Sequence, residues 1–180
     1  MAVTTIKELM IPVSEYATVQ KDATLYEAVA ALEKAQAEFD KNRYLHRAIL
    51  VLDEKDAVVG KLGQLDILRA LEPKYELIEL GRFGYSKKYM EALMDKFNLW
   101  EEPLDHICKK AFGNKIENFM EKPAESELID EAASLSNAIH QLVMGCHQSL
   151  LVTRAGKAIG ILRLTDVFHE ASGMIKACSL

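Results

Sequence analysis

Apolar residues recur along this chain with two alternating periods. Leu25, Ala28, Val29 and Leu32 stand at i, i+3, i+4 and i+7, one face of a helix, and Thr24 with Glu27 forms the T-x-x-E capping box that starts one. Two short strand-like runs follow, "AILVLD" and "AVVGKL", joined by the turn "EKD". A second helix comes next, apolar at Ile67, Leu68 and Leu71. The same order returns later: Leu135, Ala138, Ile139 and Leu142 behind Ser134, then "SLLVT" and "AIGIL" around "RAG", then Val167, Phe168 and Ala171. An extended stretch, "YATVQ" or "SELID", precedes each unit, so the pattern predicts a β-α-β-β-α unit twice.

The two units are copies of one another. At an offset of 110, Ile6 matches Ile116, Met10 matches Met120, Leu25 matches Leu135, Ala28 matches Ala138 and Leu32 matches Leu142. At an offset of 100, Leu50 matches Leu150, Gly60 matches Gly160, Leu62 matches Leu162 and Asp66 matches Asp166. The first copy therefore carries the longer helix or loop, "EKAQAEFDKNRYLHR". A unit of about sixty residues has one sheet face to bury and is marginal alone. Two copies packed sheet to sheet solve that, and such an interface is expected to hold two symmetry-related clefts. The resulting division is 1–73 for the first copy, 74–112 for an intervening segment and 113–180 for the second.

The intervening segment is too long for a simple linker. Met90, Leu93, Met94 and Phe97 have helical spacing, as do Leu104, Ile107, Cys108, Ala111 and Phe112, which predicts two amphipathic helices. They are expected to cover the module's own sheets or extend a dimer interface, the sharper alternative being a docking surface for a partner protein. "GRFG" lacks the spacing of a phosphate-binding glycine loop and reads as a turn.

Composition narrows the function. The chain of 180 residues has 22 Lys and Arg against 27 Asp and Glu, a net charge of -5, which argues against a role on nucleic acid. Cys108, Cys146 and Cys178 lack C-x-x-C spacing and read as reduced thiols of a cytoplasmic protein. "MAVTTIKELMIP" does not resemble a signal peptide, and no stretch approaches the ~20 apolar residues of a membrane span. Catalytic constellations are missing: H-E-x-x-H, G-x-S-x-G and a Walker loop are absent, and His46, His106, His140, His147 and His169 have no metal-ligand spacing. The neighbours Cys146 and His147 would point to opposite faces of a strand. An enzyme is not expected, and no cofactor is required.

One acidic residue stands where each hairpin hands over to its second helix, Asp66 in "GKLGQLDILRAL" and Asp166 in "GILRLTDVFHEA". A carboxylate there suits vicinal ribose hydroxyls, and backbone N–H groups opening the helix favour an anion beside it. The plainer reading is a helix cap, and recurrence in both copies raises the site reading. Gly63 lets a ligand approach the backbone closely. Arg163 places a guanidinium where a phosphate could sit, with a surface ion pair or solvated arm as its plainer role. Thr165 reads as a helix cap before a phosphate ligand.

Taken together, "IKELMIPVSEYATVQKDATLYEAVAALEKA" leading to "HRAILVLDEKDAVVGKLGQLDIL", with its counterpart ending "CHQSLLVTRAGKAIGILRLTDVF", resembles a tandem pair of cystathionine-beta-synthase (CBS) domains, the Bateman module. The resemblance covers about residues 3 to 72 and 113 to 173. It implies an α+β fold of two CBS domains packed sheet to sheet about a pseudo-two-fold axis, with a helical insertion between them. It further implies that Asp66 and Asp166 bind the ribose hydroxyls of an adenine nucleotide, AMP, ADP or ATP, with S-adenosylmethionine as another candidate. The family's Ser or Thr is replaced by Gly63 in one copy and Arg163 in the other, which is expected to weaken or alter the first site. Thr18, Arg47 and His147 fall on the family's other ligand-lining stretches. The implied protein is a regulatory nucleotide sensor, homodimeric and acting on a partner protein, and the alternative is a ligand-free dimerising or docking scaffold.

Overall fold

A computed structural model describes residues 5–38, 45–78, 84–101 and 106–178. It begins with a single-turn helix, α1 (Ile6–Leu9), and a two-residue strand, β1 (Ile11–Pro12). Strand β2 (Thr18–Gln20), helix α2 (Leu25–Glu38), strands β3 (Ala48–Leu52) and β4 (Val58–Gly63) and helix α3 (Gln64–Ala70) complete the first copy. Helices α4 (Lys87–Phe97) and α5 (Ile107–Gly113) lie between the copies. The second copy has β5 (Leu128–Asp130), α6 (Leu135–Gly145), β6 (Ser149–Arg154), β7 (Lys157–Arg163) and α7 (Leu164–Ala177). The architecture is α+β, with sheets of order β2-β3-β4 and β1-β7-β6-β5.

Local chemistry accounts for these elements. Glu27 accepts from the Thr24 backbone N–H at 2.7 Å while Thr24 Oγ1 accepts from Glu27 N at 3.3 Å, the two halves of a capping box. Ser134 Oγ caps α6 by accepting from Asn137 N at 3.1 Å. Behind these caps the predicted stripes turn inward: Leu25, Ala28 and Leu32 are buried on α2, and Leu135, Ala138 and Leu142 on α6. The β3-β4 turn is closed by Asp53 Oδ1, which accepts from Lys55 N and Ala57 N, whereas β6-β7 turns through Gly156 at φ +77°.

Strand register corrects one part of the repeat. Ile49 pairs with Leu62, and Leu150 pairs with Leu162, so Ile49 is the counterpart of Leu150 and the offset in the first hairpin strand is 101. The second copy's hairpin turn is one residue shorter: Leu52 pairs with Val58, whereas Thr153 pairs with Ala158. A slip of one residue exchanges the faces of a strand. Leu50 belongs with Leu151, both in a cluster with Ile11, Tyr16 and Ile161 at the seam, while Ile49 and Leu150 join the separate helix-covered cores.

The copies exchange their leading segments. β1 pairs antiparallel with β7, Ile11 opposite Ile161 and Pro12 opposite Gly160, and the fully buried Ile6 packs in the second copy's core. In return Ile116 is fully buried in the first copy's core, its N–H donates to Ala23 O at 3.0 Å, and Lys61 and Glu121 exchange backbone hydrogen bonds, each 3.0 Å. The repeated Gly and Met residues serve this exchange. A Cβ on Gly60 would lie 2.5 Å from Met120 Sδ, and one on Gly160 would lie 2.7 Å from the Ile11 carbonyl and 2.9 Å from Met10 Sδ.

Two apolar expectations turn out differently. Leu68 on α3 and Phe168 on α7 are 56% and 66% exposed, because their neighbours Ile67 and Val167 take the inward positions. Between the copies, Ile78, Leu93 and Leu99 form a small satellite core with Tyr75, Phe97 and Trp100. Glu72 organises it, accepting from Trp100 N at 2.7 Å and Lys74 N at 3.3 Å. Met90 and Met94, predicted for the same stripe as Leu93, are exposed. α5 covers the first copy, with Phe112 stacked on Tyr26 of α2 at 4.3 Å. Leu104 lies outside the described residues. Among the described residues no helix is long and apolar enough to cross a membrane.

Candidate functional site

Each acidic residue singled out by the repeat stands three residues after the N-cap of the helix that follows a hairpin, and both carboxylate side chains are 11% exposed. Their surroundings differ through a single position. In the first copy the N-cap is Gly63, and Asp66 Oδ2 folds back to accept from Gly63 N at 2.7 Å. A Cβ on Gly63 would meet that oxygen at 3.1 Å, so the space left by the missing side chain is used by the carboxylate. The other oxygen, Oδ1, accepts from Arg69 Nη1 at 3.2 Å, and Arg69 also lies 3.5 Å from Glu121. Burial pushes the Asp66 carboxyl up, with Glu121 adding to the rise, against the opposing Gly63 N–H, Arg69 and Lys61.

In the second copy Arg163 is the N-cap residue and is itself buried, 4% exposed. Its Nε donates to Asp166 Oδ2 at 2.5 Å and its Nη2 to Oδ1 at 2.7 Å, a two-point fork. The guanidinium is therefore engaged by its own helix. Tyr16 of the first copy lies beside this pair: burial pushes its hydroxyl up to about 12, with Arg163 and the backbone N–H groups of Ala48 and Arg47 acting the other way and Asp166 adding to the rise. The Tyr16 ring meets His46 edge to face at 4.2 Å.

The remaining predicted residues are each placed by their own element. Thr18 begins β2 opposite Leu50 and is half-buried. The Arg47 side chain is exposed, and its carbonyl accepts from Gln64 N at 3.2 Å. Thr165 lies inside α7, behind the cap position held by Arg163. His147, 6% exposed, has Nε2 3.2 Å from Ser126 Oγ and Nδ1 3.8 Å from Glu127 Oε1.

Three residues of the seam escaped the sequence reading. His46, in "HRAIL", is the counterpart of His147 in "HQSLL" once the offset of 101 is used, and it is fully buried. Lys61 occupies on β4 the place that Ile161 holds on β7, and its ammonium pairs with Glu127, which precedes β5 as Ala17 precedes β2. Their side chains are 14% and 9% exposed. Burial raises the Glu127 carboxyl, but Lys61, the Ala124 N–H and His147 together hold it below the usual carboxylate range. One end of the seam thus joins the copies by a buried ion pair where the other has Ile161 and Ala17 in the corresponding places.

A surface groove of about 600 Å3, lined by Ser126, Asn137, His140, Gln141, Met144 and Gly145, runs along the outside of α6 and borders the Glu127 corner. Among the described residues no group of three or more His, Cys, Asp or Glu is placed to hold a metal ion.

Two β-α-β-β-α copies, joined sheet to sheet through exchanged leading segments and each presenting an acid after its hairpin, define a duplicated α+β module. Residues 6–73 match the family model of the CBS domain, and the fold of the whole chain is that of a tandem CBS pair. A CBS domain-containing protein of unknown function from Bacillus anthracis is similar with a TM-score of 0.64 at 19% identity, over 94% of each chain. CBSX2 of Arabidopsis thaliana, solved in complex with AMP, has a TM-score of 0.59 at 17% identity, over 95% of this chain and 98% of that one. The CBS domain of a bacterial CNNM/CorC family Mg2+ transporter, solved with ATP, has a TM-score of 0.59 at 16% identity, over 94% and 88%. No curated protein matches the chain in sequence.

Proposed function

We propose that this chain is a non-catalytic regulatory sensor that binds an adenine nucleotide, AMP, ADP or ATP, at the mouths of the seam between its copies. One observation carries the reading: Asp66 and Asp166 stand at matching places, each with a side chain only 11% exposed, where a helix start meets the seam. The AMP complex of CBSX2 and the ATP complex of the CNNM/CorC domain support adenine nucleotides as the ligand class. Asp66 and Asp166 would take the ribose hydroxyls. Thr18, Gly63, Arg47, His147, Arg163 and Thr165 would contribute around them. Ligand binding to one relative arrangement of the copies shifts the population toward it, and a partner protein reads the change. A cytoplasmic homodimer is the assembly we assign to this role. Isothermal titration with AMP, ADP, ATP and S-adenosylmethionine, with Asp166→Ala as control, tests it: heat is expected for at least one ligand and is reduced in the variant. No heat for any of the four at millimolar concentration overturns the proposal.

A second reading, a ligand-free docking scaffold, is favoured by a specific feature: Arg163 already forks Asp166, and the Gly63 N–H with Arg69 already engages Asp66. Under that reading nucleotides leave the melting temperature unchanged, and deleting residues 80–112 abolishes capture of a partner.

A further inference from the structure

Lys61 is a cation set beside the apolar middle of the seam. The cluster beside it consists of Ile11, Tyr16, Leu50, Leu151 and Ile161, and Leu50 is its own cross-strand partner. A buried ammonium requires an anion. The chain supplies one from the other copy: Glu127, held by the Ala124 N–H at 3.2 Å, reaches Lys61, with His147 Nδ1 3.8 Å from the same carboxylate oxygen. Asp66 and Arg69 of α3 and Glu121 face this corner as well, Lys61 being close enough to act on the Asp66 carboxyl. The proposed ribose-binding acid, a buried cation and a competing carboxylate from the opposite copy thus share one mouth.

We infer that Glu127 is an internal counter-anion that a ligand must displace. A phosphate-bearing ligand seated with its sugar on Asp66 takes over Lys61, and Glu127 gives up its cation as the ligand enters. This inference rests on the nucleotide reading and adds to it a means of transmission. The tie between copies and ligand occupancy at the Asp66 mouth exclude each other, so binding loosens a specific contact across the seam. The Asp166 mouth has Ile161 and Ala17 in the matching places, and its own cation, Arg163, is paired within one copy by Asp166, so no tie between copies is at stake there. Ligand charge at the first mouth therefore acts on a contact between copies, and ATP is favoured there over adenosine.

Titration of ATP and adenosine into wild type, Glu127→Gln and the double variant Lys61→Met/Glu127→Gln tests this. Gln is isosteric and keeps an acceptor for the Ala124 N–H, and the double variant leaves no unpaired charge behind should a lone Lys61 substitution unfold the chain. Glu127→Gln is expected to bind ATP about tenfold or more tightly than wild type. Adenosine affinity is expected to be unchanged, and the double variant should lose the gain. Wild type that binds ATP while Glu127→Gln binds no more tightly overturns the counter-anion and leaves the nucleotide reading standing. Binding of ATP by Glu127→Gln alone supports the counter-anion while overturning nucleotide sensing by the wild-type chain. No binding by any of the three overturns both.

Discussion

Asp66 and Asp166 are twins in position and opposites in what holds them. Burial raises the Asp66 carboxyl, so its ionised form costs the fold stability at neutral pH, and this cost fades as pH falls through its raised pKa. Asp66→Asn keeps an acceptor for the Gly63 N–H while removing the buried charge. Its stability at pH 7 is therefore expected to equal or exceed that of wild type, the difference shrinking toward pH 4, while nucleotide heat at this mouth is lost; paired thermal melts at the two pH values with one titration check this. A clear loss of stability at pH 7 would show that the Arg69 contact outweighs burial. The two acids were legible from recurrence alone, since a cap and a ligand both want a carboxylate at a helix start. What they touch was not, because the outcome depends on whether the cap position offers a bare amide, as at Gly63, or a guanidinium, as at Arg163. His46 was hidden by a slip of one residue in the repeat, and Lys61 and Glu127 by lying 66 positions apart in different copies.

Elements followed the hydrophobic pattern wherever a cap or turn residue fixed their ends, as at Thr24, Ser134 and Asp53. The pattern was less informative on α3 and α7, where Leu68 and Phe168 extend the apolar face past what the core covers. It was silent on β1, whose two residues are a strand only because β7 receives them. That pairing sets a steric demand on one glycine more than on its twin. A Cβ on Gly160 meets the Ile11 backbone carbonyl, which cannot move without dislodging β1, whereas a Cβ on Gly60 meets the sulfur of a flexible Met120. Gly160→Ala is expected to destabilise by roughly 1–3 kcal/mol and Gly60→Ala by less, as read by urea denaturation. Equal losses would mean that Met120 is as fixed as the strand.

At the scale of the whole molecule the seam is apolar in its middle and polar at its mouths, and one mouth carries the Lys61–Glu127 tie. The Glu127 carboxyl is held below the usual range, so the tie stabilises the fold above the ordinary carboxylate value of 4.5 and is lost as pH falls through the lowered one. Acid unfolding is expected to be shallower in Glu127→Gln than in wild type, the two curves converging at the acid end; following ellipticity from pH 7 to pH 2 measures it. A variant curve parallel to wild type would place the acid sensitivity elsewhere. The duplication was readable in the sequence apart from the one-residue slip in the first hairpin strand, but the exchange of leading segments was not, because matching residues at fixed offsets do not reveal which sheet each segment joins. That exchange also fixes where the chain can be divided. Ile6 completes a hydrophobic interior built by residues beyond 128, and Ile116 completes one built by residues before 71, so neither half is self-sufficient. Severed anywhere between them, the two pieces would each be left with an unfilled interior, and soluble material is expected only when both are produced together.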